Sequence, residues 1–87
     1  MKTYNALLTN LKELHVPIKE SEYNEKAFGS WYIEIKSSPS FRVVHDGRDK
    51  TIVLEKITNN EWCSVMYDKT KSGKYVIEAL VKELNDL

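Results

Sequence analysis

Trp31-Tyr32-Ile33-Glu34-Ile35-Lys36, followed by Phe41-Arg42-Val43-Val44-His45-Asp46-Gly47-Arg48-Asp49-Lys50-Thr51-Ile52-Val53-Leu54, is the stretch that decides how this chain folds. Its side chains alternate with a period of two, so Trp31, Ile33 and Ile35 share one side of an extended strand and Tyr32, Glu34 and Lys36 the other. Asp46-Gly47-Arg48-Asp49 interrupts the alternation with a polar turn. Flanked by Phe41–Val44 and Thr51–Leu54, it reads as a β-hairpin in which Gly47 supplies the positive φ such loops demand.

Working outward, Ser37-Ser38-Pro39-Ser40 is a turn, and Thr58-Asn59-Asn60-Glu61 introduces a further strand, Trp62 to Tyr67. Four strands joined this tightly form an antiparallel meander, because parallel neighbours need a crossover of roughly a dozen residues or more. Before them, residues 18–29 are mostly polar, with Tyr23 and Phe28 as the large apolar groups. They read as a surface connection that holds at most one short strand or turn.

At the ends of the chain the period changes. Tyr4, Leu7, Leu8, Leu11 and Leu14 line one stripe of a helix from about Thr3 to His15, with Thr3 as N-cap and Pro17 as the stop. Val76, Ile77, Leu80, Leu84 and Leu87 line another from about Lys74 to Asp86, with Ser72 as its N-cap. The expected architecture is a single α+β domain, residues 1–87, of order α-β-β-β-β-α. Both helices bury their stripes on one face of the sheet, and the other face stays open.

Eighty-seven residues suffice for one modest core, which withdraws roughly 60–65% of the unfolded surface from water. Thirteen Lys and Arg balance thirteen Asp and Glu, so no overall field draws the chain to nucleic acid or to an anionic membrane. The single cysteine, Cys63, forms no internal disulfide, and no segment approaches the length of a bilayer span, so the chain reads as cytoplasmic.

Placing Trp31, Ile33, Ile35, Phe41, Val43, Ile52, Leu54, Cys63 and Val65 against the helices leaves Tyr32, Val44, Val53, Trp62 and Met66 on the opposite face. That is more apolar than a solvated surface requires, and Tyr and Trp are enriched where proteins dock. Arg48 and Asp49 at the hairpin tip add charges held outward on a rigid base. The alternatives are that residues 18–28 fold over this face, that one strand slips by a residue and swaps its sides, or that Arg48 merely pairs with Asp46 or Asp49.

No chemistry-bearing constellation survives inspection. His45-Asp46 resembles the dipeptide of metal-dependent phosphohydrolases, but His15 is the sole other histidine and too few ligands remain. Cys63 lies within a strand, where a thiol is a small packing residue rather than a nucleophile. Ser72-Gly73-Lys74 lacks the earlier glycine of a phosphate loop, and Lys69, Lys71 and Lys74 read as a solvated basic loop. The sequence therefore implies no enzyme, no metal and no cofactor.

Gly29-Ser30-Trp31-Tyr32-Ile33-Glu34-Ile35, Phe41 to Asp49 and Ile52-Val53-Leu54-Glu55 together resemble small uncharacterised bacterial proteins similar to immunity proteins of polymorphic toxin systems. The chain departs from that pattern at His45, where an aromatic such as Trp is expected, and at Lys50, where Gly is expected. The resemblance implies a non-catalytic cytoplasmic binder and carries over no binding residue. The expectation is a protein-binding domain of immunity or inhibitor type, using Tyr32, Val44, Arg48, Asp49, Val53, Trp62 and Met66 against another protein such as a toxin or effector. The alternative is a homodimer that buries the same face.

Overall fold

The computed structural model describes residues 2–68 and 73–87. Along them run helix α1 (Lys2–Glu13), strand β1 (Ile18–Asn24), a 3-10 turn (Glu25–Ala27), β2 (Ser30–Ile35), β3 (Phe41–Asp46), β4 (Thr51–Thr58), β5 (Glu61–Asp68) and helix α2 (Lys74–Asn85). The strands form one antiparallel meander in the order β1-β2-β3-β4-β5. The α+β class and the flanking helices are as expected, but the sheet has five strands rather than four.

The added strand is β1. Its sequence, Ile18-Lys19-Glu20-Ser21-Glu22-Tyr23-Asn24, is polar because it is a sheet edge, where charges discourage pairing with another chain. Its inward positions are Ile18, Ser21 and Tyr23, opposite Ile35, Ile33 and Trp31. Ser21 satisfies its hydroxyl against Tyr4 of α1, whose phenol donates to it over 3.0 Å.

Each connection has a local cause. Asn59 and Asn60 both take positive φ (53° and 66°), as a two-residue hairpin between Thr58 and Glu61 requires. The β3–β4 tip works differently from the sequence expectation. Lys50, not Gly47, carries the positive φ (56°), and its N–H donates to the Asp46 carbonyl over 2.7 Å. Gly47 is required by space: a Cβ there would lie 2.0 Å from the Phe28 carbonyl oxygen. The tip is thus pressed onto the β1–β2 connection, with the Gly47 N–H donating to Ser30 Oγ over 2.9 Å.

The inner face of the sheet carries Trp31, Ile33, Ile35, Phe41, Val43, Ile52 and Leu54, all buried as the alternation requires. Tyr4, Leu7 and Leu11 of α1 and Val76, Ile77 and Leu80 of α2 complete this core. Burying side chains of this kind contributes about 1.5–3 kcal/mol each. Helix α1 closes at a left-handed His15 (φ 58°), with Val16 N–H donating to the Leu11 carbonyl and His15 N–H to that of Lys12. This Schellman arrangement ends the helix two residues ahead of Pro17. Thr3 lies inside α1 rather than capping it, and Leu14 and Leu87 are exposed rather than buried.

Helix α2 is capped from a distance. Ser72, expected as its N-cap, lies outside the described residues, as do Lys69 and Lys71 of the expected basic loop. Gly73 occupies the cap position without a side chain, and Asp68 at the end of β5 accepts hydrogen bonds from the N–H groups of Tyr75 (3.1 Å) and Val76 (3.4 Å). Asp68 is 1% exposed. A carboxylate there answers orphan donors and meets the positive end of the helix dipole. Among the described residues no helix is long and apolar enough to cross a membrane.

Candidate functional site

Strand β5 contains the one change of register that redraws the outer face. Leu54 pairs with Met66 but Glu55 pairs with Ser64, so Val65 is an extra, unpaired residue. Such a bulge reverses the parity of every residue beyond it. Met66, expected on the outer face, therefore stands on the inner side and packs against the core. Val65, expected inside, is the bulged residue and is exposed, whereas Cys63 keeps its expected inner side, opposite Lys56, but is exposed there rather than buried.

Tyr32, Val44, Val53 and Trp62 stand on the outer face as anticipated, together with Ile57 and Tyr67, which the sequence reading did not place there. The register links them across strands: Tyr32 opposite Val44, Val44 opposite Val53, Val53 opposite Tyr67, and Ile57 opposite Trp62. The result is an aromatic and aliphatic row with Trp62 and Ile57 at one corner. Both helices pack on the inner face, and residues 18–24 extend the sheet instead of folding over it, so among the described residues nothing covers this row.

A second row is charged: Glu20 opposite Glu34, Glu34 opposite Arg42, Arg42 opposite Glu55. Arg42 Nε donates to Glu55 Oε1 over 2.5 Å, and its guanidinium carbon lies 4.3 Å from the centre of the Trp62 ring. This places the indole by charge and by cation–π attraction at once. Lys19 reaches Glu34 at 3.3 Å. The Tyr32 hydroxyl donates to Glu20 over 2.7 Å. That bond, with partial burial and the negative charges of Glu20, Glu22 and Glu34, pushes the phenol up to about 12.

At the hairpin tip, Arg48 and Asp49 are exposed, and Arg48 forms no ion pair with Asp46 or Asp49. Its guanidinium carbon sits 4.8 Å from the centre of the Phe28 ring, which is itself 65% exposed. Asp46 fixes the turn through the backbone instead, accepting the Arg48 N–H at 2.8 Å. The tip and the β1–β2 connection thus make one continuous end of the molecule. Phe28 was the signal for this, a large apolar residue stranded in a polar segment.

On the inner side, His45 stacks on Trp31 with ring centres 5.3 Å apart, and its buried Nδ1 has no partner. It lies opposite Ile52 on β4, whereas Cys63 lies opposite Lys56, so the fold does not bring thiol and imidazole together. Among the described residues no three His, Cys, Asp or Glu gather where they could hold a metal ion. Comparison with known proteins gives no matching family model, curated protein or solved structure.

Proposed function

We propose that this is a non-enzymatic protein-binding domain of immunity or inhibitor type, which covers another protein with its outer sheet face and hairpin tip. The observation that carries this reading is the uncovered row of Tyr32, Val44, Val53 and Tyr67 beside Trp62 and Ile57. The mechanism is occlusion. A five-stranded sheet presents these groups on a stiff backbone, and the ion pair and ring contact of Arg42 already hold Trp62, so little order remains to be imposed on docking. Met66 leaves the proposed binding set, and Tyr67 and Ile57 enter it; Arg48 and Asp49 stay as rim charges.

The test is affinity capture from the source cell with the wild-type chain and three variants. A partner held by wild type and by Lys82→Glu on α2, but lost from Tyr32→Asp and Trp62→Asp with circular dichroism unchanged, supports the reading. A partner retained equally by both face variants refutes it.

Self-association through the edge of β5 is the second reading. From Trp62 to Tyr67 that edge bears no charge, unlike β1, and a free edge is a template for a second copy. A dimer by light scattering that persists in both face variants would favour it.

A further inference from the structure

We propose that the partner of the outer face presents a basic surface, one of whose lysine or arginine side chains enters the cleft between β1, β2 and β3 beside Glu22 and Tyr32. The inference rests on the reading of this face as a protein-binding surface and gives that partner its chemistry.

The chain as a whole is neutral, with 13 basic and 13 acidic residues, yet its charges are not spread evenly. By strand parity Glu20, Glu22, Glu34, Asp46 and Glu55 stand on the outer face, against Arg42 within the strands and Lys36 just past the end of β2. Arg42 is already spent on Glu55 and Trp62, and Lys19, reaching over from the β1 bulge, on Glu34. Glu20 accepts the Tyr32 hydroxyl. Glu22 pairs with Tyr32 through the sheet backbone, but its carboxylate is left exposed, with no hydrogen bond or ion pair to any described side chain. The Tyr32 phenol is raised chiefly by its hydrogen bond to Glu20 and by partial burial, and the charges of Glu20, Glu22 and Glu34 add to the shift in the same direction.

The cleft next to Glu22 is an open groove of about 270 Å³, lined by Asn24, Tyr32, Arg42, Val44 and His45 among others. That lies below the roughly 300–1,000 Å³ of small-molecule sites, but it accommodates one long side chain. Such a side chain would lay its methylenes on Tyr32 and Val44 and bring its cationic head to Glu22, with the phenol ring face adding cation–π attraction. Apolar row and acidic margin then act together, the row supplying affinity and the carboxylates orientation and sign. A second copy docked face to face would set like charges against one another, and a polyanion would meet the same repulsion.

The test is an amide-resolved NMR titration of the labelled chain with amidated Gly-Arg-Leu-Arg-Gly and with Gly-Glu-Leu-Glu-Gly. The arginine peptide is expected to shift Glu22, Tyr32 and Val44 saturably. Glu22→Gln should weaken this roughly fivefold, and raising salt to about 1 M, where the screening length falls to about 3 Å, should weaken it further. Equal binding of both peptides to the outer face would overturn the basic-partner inference and leave the docking face standing. Shifts confined to the helix side, or no shift with either peptide, would overturn the inference; whether the face docks a protein at all is then decided separately by the Tyr32 and Trp62 capture variants.

Discussion

Two residues in the β3–β4 tip exchange the roles their types suggest. Gly47 has no room for a side chain, because the Phe28 carbonyl oxygen occupies the place of its Cβ, whereas Lys50 accepts the left-handed conformation. Gly47→Ala must therefore displace the β1–β2 connection or the tip, and should lower stability by about 2–3 kcal/mol. Lys50→Gly, which relieves a positive φ, should be neutral or mildly stabilising. Urea midpoints of the two variants check this contrast, which reverses if the turn needs glycine for its φ. Tyr32 gives a second test at this scale. Its folded phenol titrates near 12 against an ordinary 10.0, so the folded state holds that proton more tightly. The associated stability is fully present below pH 10 and is lost as the pH rises towards about 12. Following phenolate absorbance, Tyr32→Phe should remove this late step, and Glu20→Ala should bring it back towards the ordinary value.

Among the elements, what could be read from sequence was what burial had written there. Strands β2, β3 and β4 alternate between a buried and a half-buried side, and that alternation is visible in the apolar pattern. Strand β1 is an edge whose inward Ser21 is satisfied by Tyr4, so hydrophobic periodicity had nothing to mark. Strand β5 defeated the reading for another reason. Its bulge at Val65 breaks the period of two, and no residue type announces a bulge, so a strict alternation carried Met66 to the wrong side. The cap of α2 is also non-local, since Asp68 reaches it from the preceding strand. Asp68→Ala leaves the Tyr75 and Val76 N–H groups without this acceptor and should cost about 1–2 kcal/mol. Asp68→Asn, which keeps an acceptor oxygen, should recover much of the loss. Hydrogen exchange at Tyr75 and Val76 distinguishes a frayed helix start from general destabilisation.

For the molecule as a whole, the feature that sequence composition concealed is polarity. A net charge of zero argues against any strong field, yet folding gathers acids on the outer sheet face and so leaves an excess of bases elsewhere. The open face itself was legible, because two amphipathic helices sharing one side of a sheet must leave the other bare. Its sign was not, because sign depends on which strand positions point outward. A molecule with one negative face and compensating positive surface elsewhere attracts its own copies in a head-to-tail sense that does not close. At low ionic strength near neutral pH the scattering-derived second virial coefficient should accordingly be negative. It should rise as salt approaches about 0.15 M, where the screening length is about 8 Å and charges spread across a face no longer act together. Association through the uncharged edge of β5 would respond in the opposite way, since apolar and backbone contacts survive or strengthen in salt. A salt-resistant dimer would therefore assign the solution assembly to β5, while salt-sensitive attraction would tie it to the charged face that includes Glu22.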